Sequence, residues 1–320
     1  MINRRDFIGT ITVFSIPPIA VSGDYPTHPI DIVTPLAPGD AADSAARLMG
    51  QELSHLLGVN IIVTNRPGAG GSIGTELVMR APKDGYMILY AQNSALTIRR
   101  VLEPKIAAYD PSKDLTPLAL TTRSPSVLVA RTDANFKNFK EMVMQAKNKS
   151  GKISIGNAGP GSAGDISVQL ISSITKVDIE SVNYKGAAPA IGDLLGGHIN
   201  GVILALGAVS SHIRAGTLRG LAISSPFADF PDIPTLGQLG YKQELQGVWF
   251  AFFMPKGVPK NVSKKIILAL EAVARDSKIA EKLRPMGIIQ EWTPAPILIN
   301  EMQREYSIVQ DLFNRNHINK

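Results

Sequence analysis

The chain has 320 residues, a formal net charge of +6, 44% hydrophobic and 19% charged residues, and no cysteine. That length is enough for two domains whose cores need no covalent staples. Without cysteine there are no disulfides, thiolate metal sites, cysteine nucleophiles or lipidated-cysteine anchor. The charge excess is spread along the chain with no run of like charges. A nucleic-acid surface would gather Lys and Arg on one stripe, so the pattern argues against a nucleic-acid partner and suits long-range attraction of anionic solutes.

At the N-terminus, Arg4-Arg5 precede an apolar run over 7–20, and Ala20-Val21-Ser22 supplies small residues at its end. A positive start, a short apolar stretch and a small-x-small exit are the layout of a secretory signal. Residues 1–22 are therefore expected to be a signal peptide cleaved near Ser22, which sends the mature protein to the periplasm. Arg4-Arg5-Asp6-Phe7-Ile8 also resembles part of a twin-arginine signal, without its flanking Ser and Lys. No later segment reaches the roughly 18 apolar residues that span a bilayer.

Beyond residue 25, short apolar runs at 30–33, 61–63, 87–90, 127–130, 153–155, 202–206 and 221–223 read as strands buried on both faces, because they are continuous rather than alternating. Between them lie amphipathic helices. Met49, Leu53, Leu56 and Leu57 share one face of a helix over 43–57. Ile266, Leu270 and Val273 do the same over 260–275, and Met302, Tyr306, Val309 and Phe313 near the C-terminus. Repeated strand–helix units predict an α/β fold with parallel sheets. Stretches 121–126 and 226–247 are the best places for the chain to pass between domains. Two crossings would build one lobe from 23–124 plus 243–320 and a second from 125–242.

Three glycine-rich turns each follow a strand and open a helix: Pro38-Gly39-Asp40-Ala41-Ala42-Asp43, Asn65-Arg66-Pro67-Gly68-Ala69-Gly70-Gly71-Ser72, and the stretch from Asn157 through Gly159-Pro160-Gly161-Ser162-Ala163-Gly164 to Asp165. Free amides and partial positive charge at a helix N-terminus suit an anion. Each turn is equally readable as a tight connection with a cap. The first and third end strands of different lobes, so facing each other they would form a two-sided carboxylate clamp. Ser162 and Asp165 fit a capping box, and Asp43, in a first turn, reads as structural.

Two motifs point toward enzymes. Gly159-x-Gly161-x-x-Gly164, with Glu180 further on, matches a dinucleotide fingerprint, but Glu180 falls near the start of the next apolar run rather than at its end. Gly70-Gly71-Ser72-Ile73-Gly74 matches a nucleophile elbow, followed by His198, His212 and His317 in the chain order of a hydrolase; yet Ser72 stands well past its strand. No metal-ligand spacing appears.

Taken together the chain resembles the substrate-binding receptors of tripartite tricarboxylate transporters, the Bug receptors, over nearly its whole mature length. The blocks that carry the likeness include Tyr25-Pro26, Pro38-Gly39 with Asp43 and Ala46-Arg47, Asn65-Arg66-Pro67-Gly68-Ala69-Gly70-Gly71, and Pro82-Lys83-Asp84-Gly85-Tyr86. Others are Tyr109-Asp110-Pro111, Tyr184-Lys185-Gly186, Asp193-Leu194-Leu195-Gly196-Gly197, Pro231-Asp232-Ile233-Pro234-Thr235, and Trp249 ahead of Pro255-Lys256-Gly257-Val258-Pro259.

The resemblance implies a two-lobed periplasmic binding protein of the type II kind, each lobe a mainly parallel sheet flanked by helices. It implies closure on a small carboxylate, membrane transporter subunits as partners, a monomer, no cofactor and no enzymatic activity. Carried onto this chain, the family's ligand-holding turns are Gly39, Asp40, Ala41 and Ala42 in one lobe and Gly161, Ser162 and Ala163 in the other. Gln92, Asn93 and Ser94, and the loop Ala205, Leu206, Gly207 and Ala208, would line the same cleft. The chain departs from the pattern where Asp40 replaces a usual second glycine and where loop 205–208 is apolar, which implies a more apolar distal end of the ligand. The expected function is an exported receptor for an organic acid, amino acid or aromatic acid. A secreted Ser72 hydrolase and a ligand-sensing receptor without a transporter are the alternatives.

Overall fold

A computed structural model describes residues 25–36, 38, 41–148 and 153–318, without the side chains of Ala41, Ala42 and residues 315–318. The expected signal peptide lies outside the described residues, as do Gly39 and Asp40. The chain runs β1 (Ile30–Thr34), α1 (Ala41–Leu57), β2 (Ile61–Asn65), α2 (Ser72–Met79) and β3 (Met87–Gln92), then a π-helical turn (Ser94–Ile98) into α3 (Arg99–Leu102). Next come α4 (Pro111–Asp114), β4 (Leu115–Ser124), β5 (Ser126–Arg131), α5 (Phe139–Lys147), β6 (Ile153–Asn157), α6 (Ala163–Thr175), β7 (Ile179–Asn183), α7 (Ala187–Leu195), β8 (Gly201–Ala205), α8 (Leu206–Arg214) and β9 (Leu218–Ile223). It closes with β10 (Val248–Pro255), α9 (Lys260–Ala274), α10 (Ser277–Leu283), β11 (Ile289–Pro294) and α11 (Ala295–Ile318).

Two sheets result, ordered β11-β4-β10-β3-β1-β2 and β7-β6-β8-β5-β9. In the first, β1 is parallel to β2 and β3, while β10 is antiparallel to β3 and β4, and β11 to β4. In the second, β6 is parallel to β7 and β8, and β5 is antiparallel to β8 and β9. The two-lobed α/β class expected from the sequence is what the chain adopts, but the sheets are mixed. The reversed strands have a geometric cause. β4 passes into β5 through Pro125 alone, so β5 enters the second lobe from the shared edge and runs away from it. β10, entering the first lobe from the second crossing, does likewise. Strands β1 to β4 and β6 to β9 instead point their carboxyl ends at that edge.

The continuous apolar runs are explained by helices on both faces. In the first lobe Ile30, Ile32, Tyr90, Phe250 and Phe252 pack with α1 and α9, while Val33, Leu89, Ala251 and Phe253 pack with Val78 of α2 and Leu298 of α11. In the second, Leu128, Ile155 and Ile203 pack with α5 and α6, and Val127, Val202 and Leu204 with α7 and α8. Each fully buried Val, Leu, Ile or Phe among them contributes roughly 1.5–3 kcal/mol.

Among the described residues the lobes meet at several points, including an ion pair between Arg284 and Asp229 and the packing of Ile289 against the second-lobe core, and two further contacts show how closely they approach. Ile98 and Val101 of the first lobe share an apolar cluster with Ile166 and Leu170 of α6 and with Val309 and Leu312 of α11. Elsewhere Gly287, at φ +71°, meets Gly207 so closely that a Cβ on Gly287 would stand 2.5 Å from the Gly207 nitrogen. Gly287→Ala combines a left-handed backbone with that overlap. It is expected to lower the unfolding free energy by about 1–3 kcal/mol, read from urea denaturation; an unchanged midpoint would mean that the lobes do not meet there.

Candidate functional site

The shared edge collects the strand ends: Thr34, Asn65 and Gln92 from the first sheet, Asn157, Asn183 and Ala205 from the second. The register holds them level with the hinge, since Ser126 pairs with Ala205, Ser124 with Val248 and Gln92 with Phe250. A crevice outside strand carboxyl ends is where open α/β sheets bind ligands.

The first turn leads into α1, which opens at Ala41. Its frame is a polar triad. Asp43, 3% exposed, accepts from Asn65 Nδ2 at 2.9 Å and from Arg47 Nε at 3.1 Å. Arg47 Nη2 donates to Asn65 Oδ1 at 2.8 Å, and Asn65 Nδ2 also donates to the Leu36 carbonyl at 3.1 Å. The end of β2 thus fixes the entry to α1, and a buried carboxylate at a helix N-terminus meets favourable partial charge. At the foot of the turn, Thr34 Oγ1 is buried with no hydrogen-bond partner.

The second glycine-rich turn holds other parts in place. At Gly71, φ +101°, a Cβ would lie 2.6 Å from that of Ala95 and 3.5 Å from that of Pro35. The bare backbone therefore lets the first turn and the 95–99 segment approach each other. Ser72 is 2% exposed, with Oγ 3.4 Å from the Tyr109 hydroxyl. His198 and His212 stand in the other lobe, His212 against Thr217, and the side chain of His317 is not described. Among the described residues, no histidine is hydrogen-bonded to Ser72 Oγ.

In the third turn most amides already have acceptors. Gly159 N donates to Asn157 Oδ1 at 2.8 Å, Gly161 N to Asp165 Oδ2 at 3.0 Å, Ser162 N to the Gly159 carbonyl at 3.1 Å and Asp165 N to Ser162 Oγ at 3.2 Å. Ser162 and Asp165 form the capping pair read from the sequence. Asp165 Oδ1 further accepts from Ser181 Oγ at 3.0 Å, which in turn accepts from Asn157 Nδ2 at 3.0 Å. In α6 this leaves the N–H groups of Ala163 and Gly164, which have no intrahelical acceptor in a first turn. The turn reaches across to the first lobe, because a Cβ on Gly161 would fall 2.5 Å from Leu102 Cδ1. Pro35, Gly71, Ala95, Ile98 and Gly161 are thus linked neighbour to neighbour, which draws the first and third turns around one segment.

Other expected site residues are placed as follows. Ser94 and Gln92 are half-buried at the end of β3. Asn93 is 1% exposed, and its amide donates to Glu305 Oε1 at 2.6 Å and to the Gly247 carbonyl at 3.0 Å, so it is a strut of the interior. Ala205 is half-buried. Leu206 does not line an open surface: its side chain packs with Val127, Val209 and Leu218, and its N–H donates to the Pro125 carbonyl at 2.7 Å. At the neighbouring strand end, burial first and then the hydrogen bond to Asp193 push the Tyr184 phenol up to about 12, which keeps it a neutral donor. Thr34, Gly164 and Glu305 are additions to the sequence reading. Gly164 was visible as the end of the glycine motif; a lone Thr after a strand and a Glu inside a helical face give no distinguishing signal.

These features are those of a two-lobed solute-binding receptor. Residues 45–316 match the model of the tripartite tricarboxylate transporter family receptor, and the chain belongs to that family. It is 36% identical to the protein BugT of Bordetella pertussis over 271 residues, 83% of each chain. Among solved structures it is similar to the periplasmic binding protein BugD, at 30% identity and TM-score 0.72, covering 91% of this chain and 98% of that one. It is also similar to MatC from Rhodopseudomonas palustris with bound malate, at 28% identity and TM-score 0.72, covering 90% and 99%. A protein of R. palustris with adipate matches at 26% identity and TM-score 0.75, covering 90% and 97%. Among the described residues no helix is long and apolar enough to cross a membrane, and no group of His, Cys, Asp and Glu is placed to hold a metal.

Asp165→Ala would strand the Gly161 amide and the Ser181 hydroxyl. The expected cost is about 1–3 kcal/mol of stability, measured by chemical denaturation, whereas a loss below about 0.5 kcal/mol would show that water replaces the carboxylate.

Proposed function

We propose that this chain is an exported receptor that captures a small carboxylate-bearing metabolite between its lobes and delivers it to the membrane subunits of a tripartite tricarboxylate-type uptake system, without catalysing a reaction. The observation that carries the reading is the shared edge, where the carboxyl ends of both sheets and the first turn of α6 meet. The malate and adipate held by two relatives supply the ligand class. The family supplies the transporter partnership, and the leader ending near Ser22 supplies export.

Within this reading the ligand carboxylate is held by the amides of Ala163 and Gly164. Gly161, Ser162 and Asp165 shape the turn, and Ser94, Gln92, Ala205 and the turn through Gly39, Asp40, Ala41 and Ala42 complete the crevice. Asn93 braces it from behind. Charge-assisted hydrogen bonds from fixed amides are stronger than neutral ones, and a ligand that touches both lobes favours the closed form by its differential affinity. Asp40 opposes a second carboxylate at its turn unless its side chain points away or meets a ligand ammonium.

A thermal-shift panel of malate, adipate, amino acids and aromatic acids tests the class. A ligand at about 100 times its dissociation constant adds about 2.7 kcal/mol, which is a rise of several degrees for a chain of this size. No response from any carboxylate in the panel would remove the reading.

Ala163→Pro tests the donor. Proline is tolerated at the first helical position, and Ser162 already has the extended backbone (φ −68°, ψ 159°) that a following proline requires. The variant deletes one N–H while keeping the helix. It is expected to weaken carboxylate binding by about 1.5–3 kcal/mol at nearly unchanged unliganded stability, measured by calorimetry; unchanged affinity would place the carboxylate elsewhere.

A further inference from the structure

Glu305, on α11, is 4% exposed, and donors from two separate segments converge on it. Asn93 Nδ2 lies 2.6 Å from Oε1, Thr97 Oγ1 lies 2.5 Å from Oε2, and Gln246 Nε2 also donates to Oε1. Asn93 and Thr97 bracket Ser94 at the end of β3. Gln246 belongs to the second crossing, and its backbone N–H donates to Ser167 Oγ of α6, in the other lobe, at 2.9 Å. One carboxylate therefore joins the site segment, the hinge and, through Gln246, the second lobe. A cavity of about 470 Å³ flanks it, lined by Ser124 and Ser224 at the crossings and by Arg304 and Glu305 of α11. The buried indole of Trp249 also lines that cavity, its N–H directed at the Glu305 carboxyl.

We propose that Glu305 is a positioning residue for ligand capture, tying the Ser94 segment to the second crossing so that hinge and binding crevice move as one unit. This rests on the receptor reading above. Thr97 gives the link two proton states. Its Oγ1 lies 2.8 Å from the Asn93 carbonyl and 2.5 Å from Glu305. With Glu305 ionised, the Thr97 hydroxyl donates to it; with Glu305 protonated, the acid donates to Thr97, which turns its hydrogen to the Asn93 carbonyl.

Burial drives the Glu305 pKa up to about 7, against the hydrogen bonds from Thr97 and Asn93 and with the help of nearby Glu301. Among the described residues, the other charges around it are Arg304 on α11, Arg123 on β4, which pairs with Glu301 and with Glu291 of β11, and Lys242 and Glu244 on the second crossing. The 94–98 segment contributes none. A carboxyl whose folded pKa is raised above about 4.5 stabilises the fold fully below that pH, and the stabilisation is lost as pH rises through about 7.

Hydrogen exchange on the unliganded protein and calorimetry with malate and adipate test the link, using Glu305→Gln. Faster exchange is expected in both 93–98 and 246–250, affinity about tenfold weaker for whichever acid binds the wild type, and a smaller fall in melting temperature between pH 5 and 8. Exchange that rises only within α11, or in one of the two segments alone, overturns the proposal. If Glu305→Gln does not fold, Gln246→Ala removes the hinge leg alone and is expected to speed exchange at 93–98 as well; no change there overturns the proposal equally. The exchange result needs no ligand, so a panel in which no carboxylate binds defeats the receptor reading while leaving this link measurable.

Discussion

The organisation of the molecule depends on the direct passage of β4 into β5 through a single proline. A strand that leaves one sheet and enters the next without turning points both sheets at the same edge. The parallel strands of each lobe then present their carboxyl ends to each other. The turns that follow those strands are the natural home of helix N-termini, whose first amides have no intrahelical acceptor. Reversed β5 and β10 are the consequence at the hinge, and the long α11 spans it from behind.

Accounting for amides narrows what such a crevice can do. A glycine-rich turn before a helix looks from sequence like a cradle of free donors. In the third turn, side chains of Asn157, Asp165 and Ser162 take up the amides of Gly159, Gly161 and Asp165. What remains is two N–H groups of α6 held by a stiff polar network. Fewer donors, rigidly held, favour one small acidic group over an extended polyanion, because a fixed donor needs no ordering when the ligand arrives. The second turn shows the opposite use of the same residue types, with Gly71 letting Pro35 and Ala95 approach.

Much of this was legible before any coordinates. Strands such as Ile30–Thr34 and Ile153–Asn157 announced themselves because burial on both faces demands continuous apolar residues. Helices α1, α9 and α11 showed their apolar faces at helical spacing. β4 escaped because its sequence, LTPLALTTRS, carries a proline and several polar residues that only neighbouring β10 and β11 bury. β11 has half-buried charge at a sheet edge and no period to read. β10 is apolar throughout but follows the long irregular crossing, where strand–helix alternation gives no register. Among site residues, Ser162 with Asp165 was readable from local spacing. The inward commitment of Asn93 depends on Glu305, which is remote in the chain, and no local pattern encodes such a pairing.

The central claim is that a single carboxylate is gripped by the first-turn amides of α6 while the rest of the ligand touches the first lobe. A crystal structure with the acid that most raises the melting temperature tests this directly. The account predicts a carboxylate oxygen at about 2.7–3.1 Å from the nitrogens of Ala163 and Gly164, with Ser94 or the first turn contacting the same molecule. A ligand seated on one lobe alone, or with its acid group turned away from α6, contradicts it.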